Sequence, residues 1–203
     1  MANGDSPKVG GIGSIMFAGT GCPAQSVYAD LSSDAKVLTL RLPYWFVQYG
    51  PSVPMSENRK TCNLNVDLDY PAGWSFAVAD FEYSGYAVLD AGIVGQFSLK
   101  TKFSGSGNSP ANMKTFAGTI AGPFEDNFRL RNGMSLPAAS SPAPAPDSLL
   151  WSPCGIKRSL QLYNQARLGA AGRVPRNAEG LLTVDTVDED PKIKYMLLWR
   201  RCP

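Results

Sequence analysis

The chain of 203 residues contains no histidine, and this absence removes the usual general base of serine and cysteine hydrolases. Charged residues are also scarce, at 18% of the sequence, and the net charge is only +2. So small an excess gives no electrostatic footprint for nucleic acid, and we expect no nucleic-acid partner. No apolar run approaches the roughly 20 residues that span a bilayer, so we expect no membrane partner either.

The four cysteines, Cys22, Cys62, Cys154 and Cys202, form no CxxC pair. Zinc sites normally bring their ligands in close pairs, so we expect neither a metal nor another cofactor. Two disulfides are the better interpretation, and they indicate an oxidising, extracellular compartment. Three connectivities are possible. We favour Cys22–Cys62 and Cys154–Cys202, which join neighbours along the chain.

The first 20 residues are predicted to form a flexible N-terminal segment ahead of a single domain over residues 21–203. The polar start, MANGDSPKVGG, is typical of a mature N-terminus with an added Met. We therefore expect a secreted, extracellular protein from which a secretory signal has been removed. We expect this protein to be a monomer.

Apolar and polar residues alternate along most of the chain, and this period of two predicts strands rather than helices. Alternation with one polar face is typical of antiparallel sheets that share a core. The predicted fold class is therefore all-β: a two-sheet antiparallel β-sandwich, jelly-roll-like and stapled by disulfides. The predicted strands are residues 36–42, 62–70, 74–83, 85–89, 94–103, 114–120, 159–168, 181–187 and 193–199.

The turn at residues 71–73 (Pro-Ala-Gly) is expected to close a hairpin between the strands on either side. Beyond it the large residues change parity, because Trp74 lies on one face of the second strand whereas Phe81 and Tyr83 lie on the other. A slip of one residue near Ala79-Asp80 would restore a common face. We therefore predict a β-bulge there.

Short motifs that include all four cysteines run along the chain. They are Gly21–Pro23, Asn58–Asn65, Tyr70–Phe76, Tyr83–Tyr86, Leu89–Gly92, Trp151–Gly155, Leu181–Asp185 and Leu198–Cys202. Together they resemble the secreted fungal family called domain of unknown function 4360, from about Gly21 to Cys202. The resemblance implies a secreted, disulfide-bonded, β-rich protein, and it brings no catalytic residues to carry over.

Paired carboxylates are the remaining signal for an enzyme. Asp67 and Asp69 would share one strand face, as would Asp80 and Glu82 if no bulge intervened. Residues two apart on a strand lie about 6.5–7 Å apart at Cα, a spacing compatible with a glycosidase pair. Every alternating strand produces such pairs on its solvated face, so we expect no catalytic residue and no enzyme.

Two further clusters leave alternatives open. The acidic residues Asp185, Asp188, Glu189 and Asp190 could bind calcium, but they lack the glycine-interrupted loop of an EF-hand, and a solvated turn before Pro191 is the favoured interpretation. The aromatic cluster at residues 43–51 could be an exposed recognition patch or a cover over the core.

The segment SLPAASSPAPAPD at residues 135–147 cannot pair in a sheet and is predicted to be a semi-rigid loop. Its prolines restrict it before binding, as suits a wedge that enters a partner's cleft. A tolerated surface insertion is the alternative. A second loop, at residues 169–179, is basic and is expected to be mobile. The candidate partner-binding residues are Leu136, Pro137, Pro142, Pro144 and Pro146.

These features favour a secreted fungal effector that binds an extracellular host protein without catalysis and contributes to virulence. The sharper hypothesis is inhibition of a host papain-like cysteine protease through the exposed loop at residues 135–147. One alternative is a cell-wall glycan-binding or structural protein. The other is a carbohydrate-active enzyme that uses the paired carboxylates.

Overall fold

The structure, a computed structural model, describes residues 6–131, 134–135, 149–183 and 192–203. This part of the chain holds thirteen strands, and none of its helices is long and apolar enough to cross a bilayer. The strands are β1 (Gly11–Ala18), β2 (Tyr28–Leu31), β3 (Val37–Arg41), β4 (Phe46–Tyr49), β5 (Arg59–Asp69), β6 (Trp74–Leu89), β7 (Ile93–Phe103), β8 (Lys114–Ala121), β9 (Phe124–Arg131), β10 (Met134–Ser135), β11 (Leu160–Ala170), β12 (Gly180–Thr183) and β13 (Lys192–Arg201).

The strands form two antiparallel sheets, which confirms the predicted β-sandwich. The five-stranded sheet has the order β1-β5-β11-β7-β8. The second sheet has the order β10-β9-β6-β13-β3-β2, and β12 joins β4 to the end of β6. Consecutive strands β5, β6 and β7 alternate between the two sheets, so the chain passes from one sheet to the other twice in this region.

The core lies between the sheets and is rich in aromatic side chains. Phe76, for example, packs edge-on against Tyr70 and Phe103, with ring centroids 5.5 and 5.3 Å apart. Such edge-to-face pairs contribute about 0.5–1.5 kcal/mol each beyond the burial of their area. Alternation supplies these residues, because each strand directs every second side chain inward.

The expected hairpin at residues 71–73 is wrong. The turn is present, with Gly73 at φ +80°, but β5 and β6 belong to different sheets. Both strands direct apolar side chains into the same core, Leu68 from one side and Phe76 from the other. Strands that face each other across a core cannot also be neighbours in one sheet, so the turn carries the chain over the end of the sandwich.

The predicted β-bulge is confirmed. The register between β6 and β13 runs from Asp80 opposite Met196 to Val78 opposite Leu197, so Ala79 is the additional residue. The slip returns Phe81 to the face that already carries Val78. On both sides of the bulge this strand of 16 residues therefore directs large side chains into the core, Phe76 and Val78 before it and Phe81 and Tyr83 after it.

The outer edge of β6 is covered by the segment that follows residue 148. Ala77 bridges to Trp151, and Ser152 Oγ accepts a hydrogen bond of 3.0 Å from the backbone N–H of Phe76. Ala77, Ala79 and Leu149 form a small second cluster beneath this segment. The segment therefore satisfies backbone groups that β9, which pairs only with residues 82–89, leaves open.

The N-terminal prediction needs correction over residues 11–18. This stretch forms the edge strand β1, which pairs with β5 from Gly11 opposite Asp69 to Ala18 opposite Asn63. Its glycines and an irregularity between Ile12 and Ser14 disguise the alternation in the sequence. The strand is held by main-chain pairing and by partial burial of its apolar side chains, which needs no strict alternation.

Two disulfides join Cys22 to Cys62 and Cys154 to Cys202, which is the connectivity favoured from the sequence. The first is buried and ties the end of β1 to β5, with a sequence separation of 40. The second has a separation of 48 and ties the segment beside β6 to the end of β13. Each bridge therefore anchors an edge element of one sheet.

Candidate functional site

The first carboxylate pair, Asp67 and Asp69, lies on the outer face of β5, as predicted. Ser14 Oγ donates a hydrogen bond of 2.5 Å to Asp67 Oδ2, and Lys157 Nζ lies 3.1 Å from Asp69 Oδ1. Hydrogen bonds from Ser14 and Ser159 lower the pKa of Asp67. A glycosidase acid needs the opposite shift, because it must hold its proton near neutral pH.

The second pair, Asp80 and Glu82, lies on the outer face of β6 among cations. Asp80 Oδ2 is 2.5 Å from Arg131 Nε, and Asp80 Oδ1 accepts the N–H of Phe81. Glu82 Oε1 lies 3.7 Å from Arg129 Nε and 3.5 Å from Lys194 Nζ. These carboxylates therefore take part in ion pairs on the sheet surface.

Two predicted sites lie outside the described residues. They are the acidic cluster at Asp185, Asp188, Glu189 and Asp190, and the loop residues Leu136, Pro137, Pro142, Pro144 and Pro146. Within the described ranges, no group of three or more acidic or cysteine side chains is placed to hold a metal ion.

The aromatic cluster at residues 43–51 is divided by the alternation of β4. Trp45 and Val47 are completely buried, whereas Tyr44 and Phe46 are 57% and 41% exposed. Trp45 packs so closely over Gly21 that a Cβ there would lie 2.4 Å from the indole ring. Trp45 and Val47 therefore belong to the core, whereas Tyr44 and Phe46 are exposed, and Phe46 is the exposed member on the strand itself.

A surface groove of about 700 Å³ opens beside β4. It is lined by Gln48, Tyr49, Val53, Val88, Asp90, Asn177, Glu179, Gly180 and Leu181. Asp90 and Glu179 form the acidic side of the groove, and two hydrogen bonds hold them together. The Glu179 N–H donates to Asp90 Oδ2 over 2.8 Å, and the Asp90 N–H donates to the Glu179 carbonyl over 3.0 Å. The C-terminal end of the loop at residues 169–179 is thus part of the groove.

The groove adjoins the outer side of the second sheet, because Gln48, Val88 and Leu181 line the groove and lie opposite one another on neighbouring strands. Strand register aligns the side chains of β4, β12, β6 and β9 in two neighbouring rows. The rows are Phe46–Thr183–Tyr86–Asn127 and Gln48–Leu181–Val88–Glu125. Residues opposite each other in register share a face, so Phe46 and Tyr86 flank Thr183 on the outside of the sheet. We call the two rows and the groove together the aromatic face.

The aromatic face combines rings with uncharged hydrogen-bonding groups. Phe46 and Tyr86 offer ring surfaces, and Gln48, Asn127 and Asn177 offer amides that both donate and accept hydrogen bonds. Asp90 and Glu179 add acceptors at one end. This chemistry suits a ligand with apolar patches and many hydroxyl groups.

Sequence reasoning identified only part of this surface. Phe46 and Tyr49 belong to the predicted aromatic cluster, but nothing in the sequence marked Gln48, Asp90 and Leu181 as members of the same surface. These residues come from segments more than 40 positions apart, and only the register of β4, β12 and β6 brings them together. Because β4 was not predicted as a strand, the alternation that exposes Phe46 could not be used.

Comparison with known proteins finds one relative along nearly the whole chain. The chain is 35% identical over 198 residues to an uncharacterized secreted protein of Arthroderma benhamiae, covering 98% of this chain and 74% of the relative.

Two solved structures align with most of the chain at very low similarity. One is TmCBM61 in complex with β-1,4-galactotriose (10% identity, TM-score 0.27, covering 94% of this chain and 90% of that one). The other is the adhesin domain of Epf from Streptococcus pyogenes (8% identity, TM-score 0.23, covering 97% and 64%). TM-scores this low carry no functional argument. The sequence profile of the family described as domain of unknown function (DUF4360) matches residues 10–202, and the chain therefore belongs to this family.

Proposed function

We propose that this chain is a secreted protein that binds a neutral glycan on its aromatic face without cleaving it. The observation that carries the proposal is the exposed ring of Phe46, which shares a register row with Tyr86 beside an open polar groove. Secretion is supported by the two disulfides and by the relative's name, which describes a secreted protein.

The chemistry of a sugar matches both parts of this surface. The C–H face of a pyranose ring packs on an aromatic side chain, as Phe46 and Tyr86 permit, and burial of such area drives association. The ring hydroxyls need partners that donate and accept, which Gln48 and Asn177 supply. A surface groove of about 700 Å³ has room for more than one sugar ring.

Absence of catalysis is part of the proposal. The carboxylate pairs of β5 and β6 are engaged by serine, lysine and arginine side chains. In the groove, Asp90 Oδ2 already accepts the backbone N–H of Glu179 over 2.8 Å. Asp90 and Glu179 then bind hydroxyl groups.

The proposal is tested with soluble neutral hexasaccharides, namely cello-, xylo-, laminari-, galacto- and chitohexaose, by calorimetric titration of the oxidised protein. We expect at least one to bind, and Phe46→Ala and Gln48→Ala should each weaken that binding about tenfold, or about 1.4 kcal/mol. Tyr28→Ala is the matched control, because Tyr28 is 60% exposed on β2, at the far edge of the same sheet.

Three outcomes would contradict the proposal. The first is no binding by any of the five sugars, and the second is equal loss of affinity in the Tyr28→Ala control. The third is release of new reducing ends that stops in Asp90→Asn or Glu179→Gln, which would replace binding with the carboxylate-based enzyme. Inhibition of a papain-like cysteine protease through residues 135–147 stays a prediction from the sequence, since that segment lies outside the described residues.

A further inference from the structure

The outer face of the five-stranded sheet has a different chemistry from the aromatic face. Its side chains are amides, hydroxyls and cations, aligned by register over β5, β11, β7 and β8. The rows are Arg59–Arg167–Gln96–Thr119, Thr61–Gln165–Ser98–Ala117, Asn63–Tyr163–Lys100–Thr115 and Asn65–Gln161–Lys102. We call these four rows the amide face.

Every charge in these rows is positive. Arg59, Arg167, Lys100 and Lys102 lie among uncharged polar residues, and none of the four rows contains a carboxylate. The whole chain has a net charge of only +2, so this face concentrates cations that acidic residues balance elsewhere. Asp67 and Asp69, further along β5, are engaged by Ser14 and Lys157.

Arg59 and Arg167 stand directly opposite each other on neighbouring strands. Cross-strand partners lie about 4.5–5.5 Å apart at Cβ, and like charges in such a pair destabilise the sheet. Both side chains are exposed, and among the described residues neither forms an ion pair or a side-chain hydrogen bond. An anion bound between the two guanidinium groups would relieve this repulsion.

Part of the amide face is already ordered by internal hydrogen bonds. Gln161 Nε2 donates to Asn65 Oδ1 over 2.8 Å, and the Tyr163 hydroxyl donates to Gln161 Oε1 over 3.3 Å. Lys102 Nζ donates to Asn108 over 2.6 Å and lies 5.7 Å from the centre of the Tyr163 ring. Ordered donors and acceptors lose less entropy when they bind a ligand.

We propose that the amide face binds a polysaccharide that carries carboxylate groups. Six residue steps along β5, from Arg59 to Asn65, and four neighbouring strands give an area about 20 Å long and about 15 Å wide, which suits an extended chain. The amides and hydroxyls pair with sugar hydroxyls. The opposed arginines hold a carboxylate with bidentate geometry, while Lys100 adds a second point of attraction.

A nucleic acid fits this surface less well. Proteins that bind single strands stack bases on exposed aromatic rings, whereas this face has one ring, Tyr163, with Lys102 above it. A duplex is read by an element that enters a groove, and a flat sheet face presents none. A few cations among many amides therefore favour a polymer whose polar groups are mostly hydroxyls.

The test uses polygalacturonate as the probe, with fully methyl-esterified polygalacturonate as its uncharged counterpart. Binding to the oxidised protein is followed by affinity electrophoresis and by calorimetry. We expect binding to polygalacturonate that weakens as salt rises, because exposed charges are screened. The esterified polymer should bind about tenfold more weakly or not at all.

The double variant Arg59→Gln/Arg167→Gln should lose at least about tenfold in affinity. Arg173→Gln/Arg176→Gln removes the same charge from exposed loop positions outside these rows and should bind like the wild type. The change Phe46→Ala should leave polygalacturonate binding intact, so failure here is separable from failure of the aromatic face.

Equal binding of both polymers, or equal losses in the two arginine double variants, would overturn the proposal. So would tighter binding of single-stranded dT30 than of polygalacturonate at physiological salt. Retained thermal stability of each variant establishes that a lost affinity reflects the site, since all four arginines are exposed.

Discussion

The Tyr83 hydroxyl donates a hydrogen bond of 2.7 Å to Asn164 Oδ1, and this contact joins the two sheets at the centre of the core. Tyr195 donates to the same oxygen over 2.8 Å. All three side chains are at most 1% exposed. Two tyrosines of the second sheet thus share one amide oxygen of the first, and the Nδ2 of the same amide donates to the Cys62 carbonyl over 3.5 Å.

Replacement of the shared acceptor should be costly. Asn164→Leu leaves two buried phenol groups without a partner, so we expect the free energy of unfolding to fall by about 3 kcal/mol. Tyr83→Phe removes one donor and leaves the acceptor occupied by Tyr195, so a loss of about 1 kcal/mol is expected. Urea denaturation of the oxidised protein measures both.

Tyr163→Phe is the control for these variants, because its hydroxyl lies on the outer sheet face and makes one long hydrogen bond of 3.3 Å. Its cost should stay below about 0.5 kcal/mol. An Asn164→Leu protein as stable as the wild type would mean that the two hydroxyls find other acceptors.

The same two tyrosines should make the protein sensitive to alkali. Burial raises the pKa of Tyr83 and Tyr195 well above the ordinary value, and the neighbouring tyrosine adds to the shift at Tyr83. Above about pH 10 the unfolded chain releases protons that the folded chain keeps, so stability falls as pH rises, by about 1.4 kcal/mol per pH unit for each tyrosine.

Urea midpoints between pH 8 and pH 11 measure this slope. Tyr195→Phe should reduce the slope of stability against pH by about half, since one of the two groups is removed. Ionisation followed at 295 nm should show both tyrosines titrating only as the protein unfolds. A slope unchanged by Tyr195→Phe would contradict the assignment.

Much of the fold could be predicted from the sequence, because strands that pack one face on a core must alternate. The bulge at Ala79 is the clearest case, since a strand that keeps one face on the core changes the parity of its large residues only where an extra residue is inserted. The predicted hairpin at residues 71–73 was wrong because it depended on more than alternation. A period of two says which face of a strand is buried, and it does not say in which sheet the strand lies.

The strands that the sequence did not predict are short or bury few side chains, so they show little alternation of apolar and polar residues. In β9 only Phe128 and Leu130 are buried, and the rest of that strand is held by main-chain pairing with β6. β4 has four residues and follows a proline-containing turn. The aromatic face depends on this short strand, so the site could not be assembled without the register.

The two disulfides should differ in their reactivity. Cys22 and Cys62 are 2% and 0% exposed, whereas Cys154 is exposed and Cys202 is half-buried. Thiol–disulfide exchange needs access to a sulfur, so a mild reductant under native conditions should open Cys154–Cys202 first. Timed alkylation followed by peptide mass spectrometry reads the order.

Loss of either bridge should also destabilise the fold, because each bridge restricts the conformational freedom of the unfolded chain. A closed loop of this length contributes about 4 kcal/mol in the chain-entropy picture, so Cys154→Ala/Cys202→Ala should lower the free energy of unfolding by about that amount. In the alkylation experiment, simultaneous reduction of both bridges, or earlier reduction of Cys22–Cys62, would show that exposure does not control the rate of reduction.

The close contact of Gly85 with β12 links the fold to the aromatic face. A Cβ at Gly85 would lie 2.1 Å from the Thr183 carbonyl oxygen and 2.8 Å from the Phe128 ring. The carbonyl belongs to the backbone of β12, which cannot yield without moving away from β6. We therefore expect Gly85→Ala to lower the free energy of unfolding by about 3 kcal/mol and to loosen β12 and β4.

This variant also separates the two proposed binding faces. Displacement of β12 disturbs the row that holds Phe46, Thr183 and Tyr86, so affinity for a neutral hexasaccharide should fall, while polygalacturonate binding on the opposite sheet should persist. Faster amide exchange confined to β4 and β12 would locate the change. Gly13→Ala is the control, because its Cβ would meet only the Asp67 carbonyl oxygen, at an ordinary 3.6 Å. Loss of both affinities together in Gly85→Ala would mean that the faces are not independent.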